Sequence, residues 1–219
     1  MLFTRAKGGR AVDSKEYLRE LFSFVGKESE ADVSDMSRSL MYIFESTDRV
    51  LSGTLGYSDK VIELIRLTTA LNSRRVTDKL KIGKKCLQNE LIEYLTGVFF
   101  GAYNEKIIVI CLSENGKILC SECVGEGTVN TSSVMPRQIA EIATECGAAE
   151  VILAHNHPGG VTDPSDADRM FTSDIRIALK SVGIKLTHHY IVAGFDVLDC
   201  MEEVRKYEET NSFMHGVSD

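Results

Sequence analysis

The sequence predicts an α/β domain in its second half, preceded by a small domain made only of helices. Residues 106–125 contain two β-rich runs separated by Asn115-Gly116, a dipeptide typical of β-hairpins. Residues 150–155 form a short, continuous apolar run of the kind found in strands buried on both faces. Helical periodicity surrounds these runs, and strands that alternate with helices are typical of α/β folds.

The chain divides into four predicted segments. Residues 1–73 are predicted to be helical, because apolar residues recur there at helical spacing. Residues 74–97 predict one basic connecting helix, which Gly83 weakens. Residues 98–209 predict the α/β domain, and residues 210–219 predict a flexible tail. The helical patterns of the first segment cover residues 14–25, 34–46 and 59–71.

Composition and charge exclude several classes of protein. Of the 219 residues, 43% are hydrophobic and 26% are charged, which is ordinary globular usage rather than disorder or a fibrous repeat. The net charge of -7 argues against a protein that coats nucleic acid with its whole surface. No apolar run is long enough to span a membrane, and the first residues lack the apolar core of a secretory signal. We therefore expect a cytoplasmic protein.

The six cysteines predict reduced thiols, since they are too sparse for a disulfide scaffold. Only Cys120 and Cys123 have the spacing of a metal-binding pair. They fall in a predicted strand, where positions three apart point to opposite faces, so we expect ordinary strand cysteines there.

The stretch after the apolar strand combines residue types that bind metals. His155 and His157 lie two apart at the carboxyl end of that strand, so both imidazoles can reach one point on the same side. Such strand ends commonly carry the sites of α/β proteins, and neutral imidazole is a good zinc ligand. Asp168 supplies a third ligand if the intervening loop of glycines and prolines folds back. Asp163 and Asp166 are the alternatives for that third position.

A helix cap is predicted at Ser165, with Asp168 at the third helical position of a capping box. The structural role and the metal-binding role are compatible. Capping fixes the first helical turn, and it thereby fixes the direction in which the Asp168 carboxylate points.

The series His155, one residue, His157, seven residues, Ser165, two residues, Asp168 matches the metal motif of the JAMM (MPN+) metalloproteases. More narrowly, "AHNHPGG", the preceding "GEGTVNTSSVMPRQIA" and the later "HHYIVAG" resemble the RadC (JAB-domain) family of bacteria. The resemblance implies an MPN/JAB1-like fold, in which helices flank a mixed sheet similar to that of cytidine deaminases. It also implies a Zn2+ hydrolase in which the two histidines and Asp168 bind the metal and a water is activated.

The same resemblance implies catalytic roles for further residues. Ser165, by its matching position, would stabilise the developing oxyanion or the water. JAMM proteins also use a Glu at the opening of an early strand to transfer protons, a position that Glu105 fits best and Glu122 fits second. His189 matches a family histidine and would either orient a metal ligand through a hydrogen bond or approach the cleft itself.

Three positions depart from the family pattern and leave the ligands intact, and one of them is Gln138, which follows Arg137 where the family usually has Glu. His188 stands where the family has Asp, and Gly159 stands where it usually has Ser, which should change the flexibility of the loop.

We therefore expect a zinc-dependent metallopeptidase or isopeptidase that cleaves an amide bond in a peptide or protein substrate. The alternative is a nucleic-acid-associated module of the RadC family. Residues 52–64 resemble a degenerate helix-hairpin-helix, and Lys60, Lys84 and Lys85 would then contact phosphates. The net acidity favours a hairpin that is only a scaffold. An inactive MPN scaffold ranks third, because such proteins typically lose the ligands that are present here.

Overall fold

The computed structural model describes residues 14–32, 40–127 and 134–215. The chain separates into two compact units between Asn72 and Ser73. Helices come first and a sheet flanked by helices follows, which confirms the predicted α/β fold class. In the part of the chain that the structure describes, no helix is long and apolar enough to cross a membrane.

The first unit is helical throughout its described residues. Helix α1 buries Leu18 and Phe22, which lie four residues apart on one face as helical periodicity requires. The helix predicted over residues 34–46 is described from residue 40 onward, since residues 33–39 lie outside the described ranges. The helices are α1 (Ser14–Ser23), a 3-10 helix (Glu28–Asp32), α2 (Leu40–Phe44), α3 (Asp48–Gly53) and α4 (Asp59–Lys79), of which α4 crosses the division between the units.

Helices α3 and α4 form the hairpin that resembles a degenerate helix-hairpin-helix. The hydroxyl of Thr47 caps α3 by accepting from the backbone N–H of Val50 at 3.4 Å. At the start of α4, the backbone N–H and the hydroxyl of Ser58 both donate to the Glu30 carboxylate, at 2.8 and 3.0 Å. A carboxylate of the same unit therefore holds donors of the kind that bind phosphate at a helix start.

The second unit is built on a five-stranded mixed sheet. Its strands are β1 (Glu105–Leu112), β2 (Ile118–Gly127), β3 (Glu150–Asn156), β4 (Lys185–Ala193) and β5 (Asp196–Asp199). Their order across the sheet is β2-β1-β3-β4-β5. Strand β1 pairs antiparallel with β2 and β3, β3 pairs parallel with β4, and β4 pairs antiparallel with β5.

Helices cover both faces of this sheet, because alternate residues of β1 are apolar in both directions. On one face, Val109 belongs to a core shared with α6 and α7. On the other face, Ile110 belongs to a core shared with α5 and the last turn of α4. The helices of this unit are α5 (Gln88–Phe99), α6 (Pro136–Glu145), α7 (Asp166–Ser181) and α8 (Met201–His215).

The prediction of a single connecting helix over residues 74–97 is wrong, since α4 ends at Lys79 and α5 begins at Gln88. Between them Gly83 adopts φ +80, a left-handed conformation that no helix continues. Its backbone N–H donates to the carbonyl of Ile118 at 2.7 Å, so this segment pairs with the start of β2.

Two segment limits also differ from the prediction. The expected start of the α/β domain at residue 98 is too late, because Leu91 and Leu95 of α5 lie in the core beneath the sheet. The tail expected from residue 210 is helical as far as His215, since no glycine or proline interrupts α8. Residues 216–219 lie outside the described ranges.

The close contact between α4 and α5 predicts how a substitution at Gly97 affects stability. A Cβ atom there would lie 2.4 Å from Cγ1 of Val76, which is too close for any real contact. We expect Gly97→Ala to lower the free energy of unfolding by about 1–3 kcal/mol through overpacking, despite the better helix propensity of alanine. Urea unfolding measures this change. The control is Gly53→Ala, where the added Cβ meets nothing within 4 Å, and equal losses in both variants would contradict the explanation.

Candidate metal centre

Three predicted ligands meet at the carboxyl end of β3. His155 lies on the strand, His157 follows its last residue, and Asp168 lies in the first turn of α7. Nε2 of His155 lies 3.0 Å from Nε2 of His157 and 3.2 Å from Oδ1 of Asp168. Nε2 of His157 lies 3.5 Å from Oδ2 of the same carboxylate. The structure thus brings together the residues that the sequence pattern singles out.

The predicted cap at Ser165 forms and holds the carboxylate in place. The hydroxyl and the backbone N–H of Ser165 donate to Oδ2 of Asp168 at 2.6 and 2.8 Å, and the Asp168 N–H donates back to the hydroxyl at 3.2 Å. The intervening loop turns at Gly159, whose φ of +62 is a left-handed conformation that glycine adopts without strain. Helix capping and loop geometry together set where this carboxylate points.

A chain of hydrogen bonds behind the centre fixes the tautomer of His155. The Thr172 hydroxyl donates to the main-chain carbonyl of Asp168 at 2.5 Å, because a carbonyl can only accept. Its oxygen then accepts the Nδ1–H of His189 at 2.6 Å. Burial holds the pKa of His189 well below its usual value, so this ring is neutral and its Nε2 accepts from Nδ1–H of His155 at 2.8 Å. Nε2 of His155 is left with a free lone pair.

The tautomer of His157 is fixed in a simpler way. Its Nδ1 lies 2.7 Å from the carbonyl oxygen of Val161, and this oxygen can only accept, so Nδ1 carries the proton. Its backbone N–H donates to the carbonyl of Val192 on β4 at 2.8 Å, which anchors the residue just beyond the strand. Nε2 of His157 therefore also presents a lone pair to the centre.

The centre consequently gathers acceptors and attracts positive charge. Two imidazole lone pairs and a carboxylate repel one another at 3.0–3.5 Å unless protons or a cation lie between them. The carboxylate of Asp168 raises the pKa of His157, although burial opposes this. Burial acts to raise the pKa of Asp168, but the positive charge that His155 and His157 carry when they are protonated, together with the hydrogen bond from Ser165, outweighs it and holds that pKa well below its usual range.

Strand register separates the two candidate glutamates. Ile107 on β1 lies opposite His155 on β3, so Glu105, two residues earlier on the same face, lies opposite the position of His157. Its charge helps to raise the pKa of His157, after the larger influence of Asp168. Glu122 lies opposite Val109 on the far side of β1 and is exposed. Strand register therefore puts Glu105 nearer to the centre than Glu122.

Asn156 is a buried residue of the centre that sequence reasoning missed. Its side-chain oxygen accepts from the backbone N–H of Lys106 at 2.8 Å, and its amide nitrogen donates to the carbonyl of Asn104 at 3.2 Å. These two hydrogen bonds fix the position of the backbone on both sides of Glu105. Side chains alternate along a strand, so the sequence predicts that Asn156 faces away from the two histidines. It does not predict the partners of Asn156, because these depend on the pairing of β1 with β3.

The remaining predicted residues lie outside the centre. His188 is half-exposed and its Nδ1 lies 2.7 Å from a carboxylate oxygen of Asp199. Asp163 and Asp166 are exposed, and Asp166 pairs with Arg169 at 2.9 Å.

The lysines proposed to contact nucleic acid are exposed. Lys60 is the second residue of α4. Lys84 and Lys85 line a cleft of about 710 Å³ in the second unit, to which Glu90 and Glu93 also contribute. Carboxylates thus border the same cleft as the lysines.

A mixed sheet between helices, with His155, His157 and Asp168 at one strand end, defines a JAB-type α/β domain. Residues 85–203 match the family described as the RadC-like JAB domain. The chain is 29% identical to a UPF0758 protein of Herminiimonas arsenicoxydans over 89% of this chain and 90% of that protein. It is 30% identical to a UPF0758 protein of Vibrio cholerae over 75% and 74% of the two chains. The protein belongs to the RadC family.

The capping box predicts a stability effect that is independent of any metal. Ser165→Ala removes the hydroxyl that bonds the Asp168 carboxylate and N–H, and we expect it to lower the free energy of unfolding by about 1 kcal/mol. Urea unfolding with a chelator present measures this change. The control is Ser181→Ala at the exposed end of α7, which should stay within about 0.5 kcal/mol of the wild type. Equal stability of the two variants would count against the cap.

Proposed function

We propose that the protein is a zinc-dependent hydrolase of the JAMM type that cleaves an amide bond in a peptide or protein. One observation carries the proposal. Nε2 of His155, Nε2 of His157 and the carboxylate of Asp168 converge within 3.0–3.5 Å, and the hydrogen bonds behind the two rings hold both in the tautomer that coordinates a cation.

The donor set fits zinc. Two neutral imidazoles and a carboxylate are common zinc ligands, and three protein ligands leave a coordination position open, as catalytic sites require. When bound, zinc lowers the pKa of its water to roughly 7 and polarises the substrate carbonyl. Nδ1–H of His155 donates to His189, which fixes the ring in the way that an acceptor behind a zinc-bound histidine does, although the more usual acceptor is a carboxylate, a carbonyl or water.

In this proposal Glu105 would be the carboxylate that transfers the proton. It lies opposite the position of His157, at the mouth of β1, and Asn156 holds the backbone on either side of it. There it would accept a proton from the attacking water and donate it to the departing amine. Asn156 would act as a positioning residue for this step.

Ser165 would stabilise the negative charge that develops on the carbonyl oxygen. Its hydroxyl proton now bonds Oδ2 of Asp168, so this role requires the hydroxyl to rotate away. The backbone N–H of Ser165 donates to the same oxygen and would keep the carboxylate in place during that rotation.

The two other hypotheses lack a specific observation in their favour. Nucleic-acid binding through the α3–α4 hairpin competes with Glu30, which already holds the donors of Ser58. A purely structural role does not explain why the three ligand positions and their supporting hydrogen bonds are all in place.

Zinc content tests the ligands directly. Gently purified protein should contain about one zinc ion at this centre, and His155→Ala or Asp168→Ala should lose it. Elemental analysis measures the content. His188→Ala is the matched control, since it removes a histidine bound to Asp199 rather than to the centre, and it should retain zinc. Metal-free wild-type protein, or unchanged zinc in both ligand variants, would refute the proposal.

Catalysis is tested with Glu105→Gln and Glu122→Gln. An unbiased peptide library first provides a cleaved sequence. Glu105→Gln should keep its zinc but lower kcat/KM about 100-fold or more, because the proton carrier is lost. Glu122→Gln should stay within about twofold of the wild type, since its side chain lies away from the centre. Full activity in Glu105→Gln would remove this residue from the mechanism.

A further inference from the structure

A second cluster of potential metal ligands lies on the same face of the sheet. Sγ atoms of Cys111, Cys120 and Cys146 all lie within 4.8 Å of one another, and all three cysteines are free thiols. The sulfur atoms of Cys120 and Cys146 lie 2.9 Å apart. Among the described residues, this cluster and the His155 centre are the two groups of this kind.

Three separate elements bring these sulfur atoms together. Cys111 on β1 and Cys120 on β2 are direct cross-strand partners, so their side chains must lie on the same face. Cys146 caps the C-terminal end of α6, which packs over that face. The sequence spacing gave no hint of this, because Cys123, the apparent partner of Cys120, points elsewhere and is exposed.

The surroundings favour a cation over free thiolates. The C-terminal end of a helix carries partial negative charge, and it lies at Cys146. Burial raises the pKa of Cys120 to about 11, and the charge of Glu122 adds to this. Burial likewise raises the pKa of Cys111.

We propose that Cys111, Cys120 and Cys146 form a second metal site, which takes a thiophilic cation such as Cu+ or Zn2+ through three sulfur ligands. Thiolate ligands select these soft or borderline ions over Mg2+ or Ca2+. Cys111 is buried at the base of the site, whereas Cys120 and Cys146 are half-buried and give the ion a path from solvent.

Binding requires a small rearrangement and releases protons. Sulfur atoms around one zinc lie about 4 Å apart, so the sulfurs of Cys120 and Cys146 must separate from 2.9 Å. Each thiol gives up its proton as its sulfur binds the ion. The disulfide that Cys120 and Cys146 would form on oxidation competes with this site, so the test keeps the thiols reduced.

This site is separate from the His155 centre. Cys111 lies four residues along β1 from Ile107, the residue opposite His155, which corresponds to roughly 13 Å. The two sites also differ in donor chemistry, since one offers nitrogen and oxygen and the other offers sulfur. Either site can therefore fail experimentally while the other stands.

Cadmium titration of the full reduced chain tests the proposal, because the thiolate-to-cadmium charge-transfer band reports sulfur ligands alone. The wild type should bind one Cd2+ with this band. Cys120→Ser and Cys146→Ser should each weaken the binding by at least about tenfold, because one of three strong ligands is lost. The control Cys123→Ser, on the same strand but outside the cluster, should bind like the wild type.

Two further measurements make the outcome decisive. His155→Ala should retain the band, which separates this site from the proposed zinc centre. Circular dichroism and urea midpoints identify any serine variant that has lost its fold, and the half-buried positions of Cys120 and Cys146 make their variants milder changes than one at the buried Cys111. An absent band in the wild type, or a band unchanged in both Cys120→Ser and Cys146→Ser, would overturn the proposal.

Discussion

The antiparallel register of β1 against β3 is the constraint on which the candidate centre depends. Ile107 lies opposite His155, and this pairing places Glu105 beside the position of His157. A slip of one residue would turn every side chain of β1 to the other face and would point Glu105 away from the histidines. Asn156 reinforces the register, because its side chain binds the backbone on both sides of Glu105.

Local interactions position one ligand of the centre, and long-range interactions orient another. The capping box of α7 places the Asp168 carboxylate through contacts only three residues apart. The chain from Asp168 through Thr172 and His189 to His155 connects a helix with two parallel strands, and it decides which ring nitrogen carries a proton. The same residues that stabilise the fold therefore prepare an acceptor site for a cation.

The sequence predicted elements whose signals are local. The hairpin around Asn115-Gly116, the apolar strand β3 and the cap at Ser165 each depend on a few adjacent residues, and each appears in the structure. The prediction failed over residues 74–97, where leucines at helical spacing outweighed Gly83. The hydrogen bond between the backbone of Gly83 and that of Ile118 determines the conformation of that segment. A helical pattern in the sequence cannot reveal a partner so distant in the chain.

By itself the sequence determined the fold class, the family and the residues that meet at the end of β3, since their types and spacing lie within one short stretch. The tertiary structure decided which residues from different strands and helices come together, because the spacing of residues in the sequence does not show this. Strand register set Glu105 at the end of β1, which pairs with β3, and Glu122 on β2, the strand farther from the histidines, and tertiary contacts gave His189 and Asn156 their partners. The tertiary structure also joined Cys120 to Cys111 and Cys146 instead of Cys123, because pairing across strands brings together side chains that sequence distance separates.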